Sequence, residues 1–250
     1  MTSHDNNITA TIITLNEERN IARAIESLRC CDEILILDSG STDRTVELAG
    51  NLGVRVIEAG GRGYAGQKNW AAEQATHEWI LSLDADEALS EALEAEIWNL
   101  KKSGPRFDAY TMPRLARYLG RWIYHSGWYP DRKIRLYDRR KAAWVGDFVH
   151  ESVRSQGRIG DLESNILHFT CDSLSEHLKT LDRYTTLAAQ ELAAGKVPVP
   201  LWSLIFDPPW NFVRAYVFQR GFLDGLEGLI ISYMAAFYTF LKYSKARNMS

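Results

Sequence analysis

Trp79-Ile80-Leu81-Ser82-Leu83-Asp84-Ala85-Asp86-Glu87 is the stretch from which the fold of this chain can be read. A short, mostly apolar run of strand length ends in carboxylates at alternate positions. Such a run reads as a buried strand. Asp84 and Asp86 at its end are the hard oxygen donors that Mg²⁺ or Mn²⁺ takes. The same residues also suit a solvated acidic loop before a helix, because acidic side chains favour helix N-termini. The sequence on either side decides between the two.

Upstream, residues 8–15 form an apolar, β-branched run that predicts a first buried strand. Asn16 is expected to cap a helix with Ile21, Ala24, Ile25 and Leu28 on one face. Residues 33–37 predict a second strand, followed by Asp38-Ser39-Gly40-Ser41-Thr42-Asp43. Thr42 or Asp43 then caps a helix with Val46, Ala49 and Leu52 inward. A third strand is expected at 54–58, a helix at 65–75 and the fourth strand at 79–83, after which Ser90 caps a helix bearing Leu93, Ile97 and Leu100. This alternation implies a largely parallel sheet covered on both faces. Ligands of such sheets bind beyond the carboxyl ends of the strands, where Asn16, Asp38 and Asp84 all fall.

Beyond Gly104 the pattern loosens. Strands are expected at 107–112, 133–137, 143–149 and 165–170, with an aromatic, less regular segment at 118–129. Ser173 and Glu176 stand at capping-box spacing at the start of a long helix. Lys196-Val197-Pro198-Val199-Pro200 is a breaker. The remainder is rich in Trp, Phe and Tyr.

The 250 residues, 46% of them hydrophobic, suffice for one packed domain with an appendage. A net charge of −3 gives no bulk attraction for nucleic acid. Cys30, Cys31 and Cys171 form no Cys-x-x-Cys pair, which fits a reduced, cytoplasmic compartment. The polar first seven residues lack the pattern of a signal peptide.

Together, Thr14-Leu15-Asn16-Glu17-Glu18, Asp38-Ser39-Gly40-Ser41-Thr42-Asp43 and Asp84-Ala85-Asp86-Glu87 resemble the three landmark motifs of family 2 inverting glycosyltransferases, which have the GT-A fold. Gln67-Lys68-Asn69-Trp70 and Val149-His150-Glu151 resemble the lipopolysaccharide core β-glucosyltransferase branch of that family. The family commonly has two acidic residues before the Gly-Ser turn. Here the second is Ser39, which leaves Asp38 as the base-binding carboxylate.

The resemblance implies an α/β, GT-A type, Rossmann-like sandwich over residues 1–172 and a helical appendage over 173–250. It implies a UDP-sugar donor (glucose the leading choice), a divalent metal (Mg²⁺ or Mn²⁺), a glycan or glycolipid acceptor and inversion at the anomeric carbon. By matching position, Leu15 and Glu17 border the nucleoside, Asp38 takes the base, and Asp84 faces the ribose or the metal. Asp86 is the direct metal ligand, and His168 is either a third ligand of the metal or diphosphate site or a satisfied buried histidine. Lys68 is either a diphosphate contact or a surface lysine. Arg132, Lys133 and Arg135 are a basic cluster for diphosphate or an anionic acceptor, and only Lys133 and Arg135 share strand parity. Glu151 is the expected base for the acceptor hydroxyl, with Asp147 as the alternative.

Two rival readings remain. Gly61-Arg62-Gly63-Tyr64-Ala65-Gly66 is a formal G-x-G-x-x-G and so a dinucleotide-binding signal for an NAD-dependent oxidoreductase. It stands after the third strand, however, not at the first βα turn. A nucleotide-sugar-binding protein without transfer activity is the other rival. Residues 222–241 have the length of a membrane span but carry Asp224 and Glu227, which are costly in hydrocarbon. The expectation is helices that lie on the cytoplasmic face of the inner membrane or form a homo-oligomer interface.

Overall fold

The computed structural model describes residues 6–146, 151–195 and 197–249. These residues divide between two compact units, one formed by residues 1–114 and 131–168, the other by 115–130 and 169–250.

The first unit opens with the predicted alternation: β1 (Ile8–Thr14), α1 (Ile21–Glu26), β2 (Glu33–Asp38), α2 (Thr45–Asn51), β3 (Arg55–Glu58), α3 (Tyr64–Gln74) and β4 (Trp79–Asp84). The next elements in chain order are β5 (Glu87–Leu89), α4 (Glu91–Ser103), β6 (Ala109–Tyr118), β7 (Arg121–Ile123), β8 (Asp131–Asp138), β9 (Ala142–Val145), β10 (Ser152–Ser155), β11 (Ile159–Asp161) and β12 (Ile166–Cys171), of which β7 and the ends of β6 and β12 belong to the second unit. The main sheet runs β3-β2-β1-β4-β8-β6-β12-β5. Its first four strands are parallel, and β8 returns antiparallel to β4. β9 and β10 form a separate hairpin.

The strands β1, β2 and β4 are mostly apolar and largely buried because both faces are covered, whereas the edge strand β3 is exposed at Arg55 and Glu58. Ile8, Ala10, Ile12, Leu81 and Leu83 are buried with Ile21 and Ile25 of α1 and with Leu93 and Ile97 of α4 in one core. Ser90 caps α4 as expected, its side chain accepting from the Leu93 amide.

Local expectations fail where neighbouring loops compete for a side chain. Asn16 does not cap α1. It adopts φ = 56°, and its Oδ1 accepts from the Thr42 amide at 2.8 Å. In α2 only Thr45 and Ala49 are buried, whereas Val46 and Leu52 are exposed. The cap position of that helix is Arg44, without a side-chain cap bond, and Asp43 one residue earlier accepts from the Thr45 amide at 3.0 Å.

In the second unit, Ser173 caps α5 (Leu174–Ala194), its side chain accepting from the Glu176 amide. The helix α6 (Leu201–Val213) runs into a π-helical turn at Arg214–Phe218. A 3₁₀ turn at Gly221–Asp224 leads to α7 (Gly225–Met249). Pro208 and Pro209 inside α6 remove two amide donors, and the chain widens into the π turn one helical turn later. Among the described residues no helix is long and apolar enough to cross a membrane.

Candidate active site

Strand register brings two of the motifs to one edge. Thr14 at the end of β1 pairs with Asp38 of β2, while Ile13 pairs with Asp84 of β4. Asp38 and Asp84 therefore flank the end of β1 from opposite sides.

The β1 and β2 ends are sewn together by their own motif residues. Asp38 is buried, and its Oδ2 accepts from the amides of Gly40 and Ser41 at 2.9 and 2.8 Å. Its Oδ1 accepts from the Ser41 hydroxyl at 2.5 Å. The carboxylate thereby shapes the turn, and Gly40 at φ = 94° occupies the left-handed conformation that this turn requires. The Glu17 amide donates to Thr45 Oγ1 at 2.8 Å, and Leu15 lies exposed between the two loops. Burial, which Asp86 and Asp43 reinforce, raises the Glu17 carboxyl above its ordinary value against an opposing hydrogen bond from Asn20.

At the end of β4 lies a dense charge cluster. Lys68 is only 2% exposed, so it is not a surface lysine. Its Nζ stands 2.7 Å from Asp84 Oδ1, 3.4 Å from Glu151 Oε1 and 4.1 Å from the centre of the Trp144 ring. Arg135 is also buried. Its Nη2 donates to Asp84 Oδ2 and to Glu87 Oε1, both at 2.9 Å, and its Nε donates to Glu87 Oε2 at 3.2 Å. Arg114 adds a contact of 3.2 Å to Glu87 Oε1. Burial alone would push the Glu87 carboxyl up, but Arg135 and then Arg114 outweigh it and hold the group well below the usual carboxylate range. For Arg135, burial opposes the charged form, and Glu87 and Asp84 more than compensate.

The Gln67-Lys68-Asn69-Trp70 segment sits on α3, and three further contacts fix it. Gln67 Oε1 accepts from the Ser39 hydroxyl at 3.3 Å. Asn69 exchanges two hydrogen bonds with the Trp144 backbone, each 2.9 Å. The Arg62 guanidinium lies 4.4 Å from the centre of the Trp70 ring. Glu151 Oε2 is buried with no hydrogen-bond partner among the described residues. Asp147 and His150 lie outside the described residues.

Among the described residues no cluster of three or more His, Cys, Asp or Glu side chains is arranged to hold a metal. Asp84 has one oxygen on Lys68 and the other on Arg135, so it is occupied by cations. Asp86 and His168 face each other instead, with Oδ2 and Nε2 3.1 Å apart. Adjacent ligands of an octahedral Mg²⁺ at ~2.1 Å stand ~3.0 Å from one another. The separation thus suits two neighbouring ligands, and Mg²⁺ sites commonly complete their shell with phosphate oxygens and water. Asp86 and His168, which also hydrogen-bond to each other, are left as the candidate ligands, whereas both oxygens of Asp84 are paired with cations.

Residues 9–154 match the model of glycosyl transferase family 2. The chain belongs to that family. This glycosyltransferase is 34% identical over 246 residues to the lipopolysaccharide core biosynthesis glycosyltransferase LpsC of Rhizobium meliloti (strain 1021), covering 95% of this chain and 91% of that one. It is 32% identical over 255 residues to the uncharacterized glycosyltransferase RT0209 of Rickettsia typhi, covering 97% and 87%. The solved structure of S. aureus TarS 1–349 in complex with UDP-GlcNAc aligns with a TM-score of 0.50 at 14% identity, over 97% of this chain and 90% of that one. The fold is the expected α/β GT-A type. Family membership displaces the dinucleotide-binding reading of residues 61–66, which span the end of the loop after the edge strand β3 and the first turn of α3.

Sequence reasoning missed Glu87 and Arg114 as members of this glycosyltransferase's charge cluster. Glu87 carries a visible signal, being a third carboxylate directly after Asp84-Ala85-Asp86. Arg114 carries none, since its approach depends on how β6 pairs. Of the basic cluster, only Arg135 joins the site. Arg132 bonds to the Leu162 carbonyl at 2.7 Å, and Lys133 lies 2.9 Å from Asp131.

Proposed function

We propose that this family 2 member is a metal-dependent inverting glycosyltransferase. In this reading it moves a sugar, glucose by preference, from a UDP-sugar to a lipid-linked glycan of the lipopolysaccharide core type. The observation that carries the proposal is the Asp84–Lys68–Glu151 chain of contacts, which ends in a buried carboxylate oxygen without a partner among the described residues. An inverting transfer needs such a group to take the proton of the acceptor hydroxyl as its oxygen attacks the anomeric carbon opposite the leaving diphosphate. The acceptor class rests on the likeness to LpsC along nearly the whole chain.

Asp38 and Glu17 border the nucleoside at the β1–β2 end. Lys68 positions Asp84 and Glu151 and Arg135 positions Asp84 and Glu87, because both cations are already spent on carboxylates. Asp86 and His168 would hold Mg²⁺ or Mn²⁺, which neutralises the charge developing on a departing diphosphate.

The outer face of the C-terminal helices supports a peripheral membrane location. Leu201, Trp202, Ile205, Phe206, Trp210, Val213, Val217 and Phe218 recur in pairs every fourth residue, and all are exposed. Pro209 and Arg214 complete the stripe. Polar Ser203 is buried on the same helix, and Asn211 donates to Thr239 Oγ1 of α7 at 2.8 Å. A helix with its apolar side outward suits the boundary of a lipid leaflet, where Trp is favoured.

The test is UDP release from a panel of UDP-sugars with Mn²⁺ and a lipid-linked core acceptor, with the product anomer read by NMR. One donor should support release and yield the inverted linkage. Glu151→Gln should lower turnover by roughly 10²–10⁴ with UDP affinity unchanged. A retained anomeric configuration, or full activity of Glu151→Gln, would sink this assignment. Binding of NAD with no response to any UDP-sugar would revive the oxidoreductase reading.

A further inference from the structure

The second unit contains a cavity of about 460 Å³ between α5, α6 and α7, floored by residues of β6 and β12. Protein interiors are close-packed, and voids much larger than a water molecule are few. An apolar space of roughly 150 Å³ already accepts a benzene-sized guest. A cavity in the range of about 300–1,000 Å³ is of ligand size.

The chemistry of its wall is narrow. Trp128, Leu181, Ile231 and Met234 give it hydrocarbon and ring surface beside the uncharged polar Thr170, Asn211 and Thr239, and among the described residues no Asp, Glu, Lys or Arg lines it. Burial favours the neutral forms of Tyr118, Cys171, His177 and Tyr238. Burial pushes the Tyr118 hydroxyl up to about 12, with Cys171 and Glu227 adding to it. Burial also raises the Cys171 thiol and lowers His177. Tyr118 and His177 satisfy each other, with Oη and Nδ1 2.6 Å apart. Thr180 and Tyr184 are exposed on α5 and supply hydroxyls toward solvent.

A wall without a fixed charge recognises neither a phosphate nor a carboxylate. The outward apolar stripe of α6 is a separate sign that this unit meets hydrocarbon. We propose that the cavity binds one hydrocarbon chain of an amphiphile and leaves the polar head at the mouth. The chain can come from a glycolipid or from a simple lipid, and the hydrocarbon is the shared chemistry. The proposal does not depend on the transfer reading, because it is tested by binding alone.

The experiment is calorimetric titration of the full chain with dodecyl maltoside below its micelle concentration, alongside dodecanol and maltose. Saturable binding of one chain per protein is expected, with the negative heat-capacity change of apolar burial. Ala235→Phe narrows the cavity from within. Thr180→Phe blocks it from exposed α5, where the fold is least at risk. Each should weaken binding tenfold or more, while Trp210→Ser on the outer stripe should leave it unchanged. Equal binding of dodecanol and dodecyl maltoside supports a simple-lipid chain, and tighter binding of the maltoside supports a glycolipid. Maltose competing as well as the maltoside, both cavity variants binding as wild type, or loss of binding in Trp210→Ser would each overturn the proposal.

Discussion

Arg135→Met removes the cation on which the end of β4 is built, and the cost can be worked from its contacts. Glu87 is fully enclosed and accepts two hydrogen bonds from Arg135 and one from Arg114. Asp84 Oδ2 accepts another from Arg135. Removing one partner of a buried ion pair costs about 3–5 kcal/mol, because the other charge stays uncompensated. Arg114 remains 3.2 Å from Glu87, which places the loss near the lower end of that range. At 2–4 °C per kcal/mol for a chain of this size, the midpoint of thermal unfolding should fall by roughly 6–12 °C.

The pH dependence has a definite sign. The Glu87 carboxyl is depressed below 4.5 in the folded protein, so its ionised form stabilises the fold above that value. That stabilisation drains as pH falls from 4.5 through the depressed folded value. Without Arg135 the depression is smaller, and the variant has less to lose. The gap between wild type and Arg135→Met should therefore narrow from pH 7 to pH 4, measured by urea unfolding followed by far-UV circular dichroism. Adding Glu87→Gln to Arg135→Met should return part of the loss, as expected of contacting residues with coupling of about 0.5–3 kcal/mol. A loss under about 1 kcal/mol at pH 7, or a gap that widens on acidification, would refute this account of the cluster.

Asp86→Ala should abolish the gain in UDP affinity that Mn²⁺ confers on the wild type and lower turnover by orders of magnitude, read by calorimetry and UDP release; unchanged turnover of EDTA-treated wild type would count against a metal at Asp86 and His168. Trp202→Ser, Phe206→Ser and Trp210→Ser combined should release the protein from anionic liposomes in co-sedimentation while leaving the unfolding midpoint unchanged. Sedimentation equal to that of the wild type would move the attachment surface elsewhere.

The central parallel strands β1, β2 and β4 were legible because they are largely buried on both faces and so read as mostly apolar runs, whereas the edge strand β3 keeps only Val56 and Ile57 half-buried. The carboxylates at the strand ends were legible for the same reason, since they mark where each run stops. What escaped depends on partners distant in sequence. β5 is three residues long, too short to show a period. Arg135 meets Asp84 and Glu87 only because β8 returns antiparallel beside β4, a register that local sequence does not encode. Asn16 has the composition of a helix cap, yet it bonds across to Thr42, because the facing loop offers its amide at a better place. The role of Lys68 stood open between a surface lysine and a diphosphate contact, and its burial excludes the first.

The shared use of cations at the β4 end bears on the speed of the active site. Lys68 and Arg135 each span two carboxylates and lie against the Trp144 ring, at 4.1 and 5.2 Å. Asn69 pins the backbone of that tryptophan to α3. Charges tethered at several points cannot swing to follow a reaction as water dipoles do. Their orientation is set during folding, so little reorganisation is left for the moment of bond exchange.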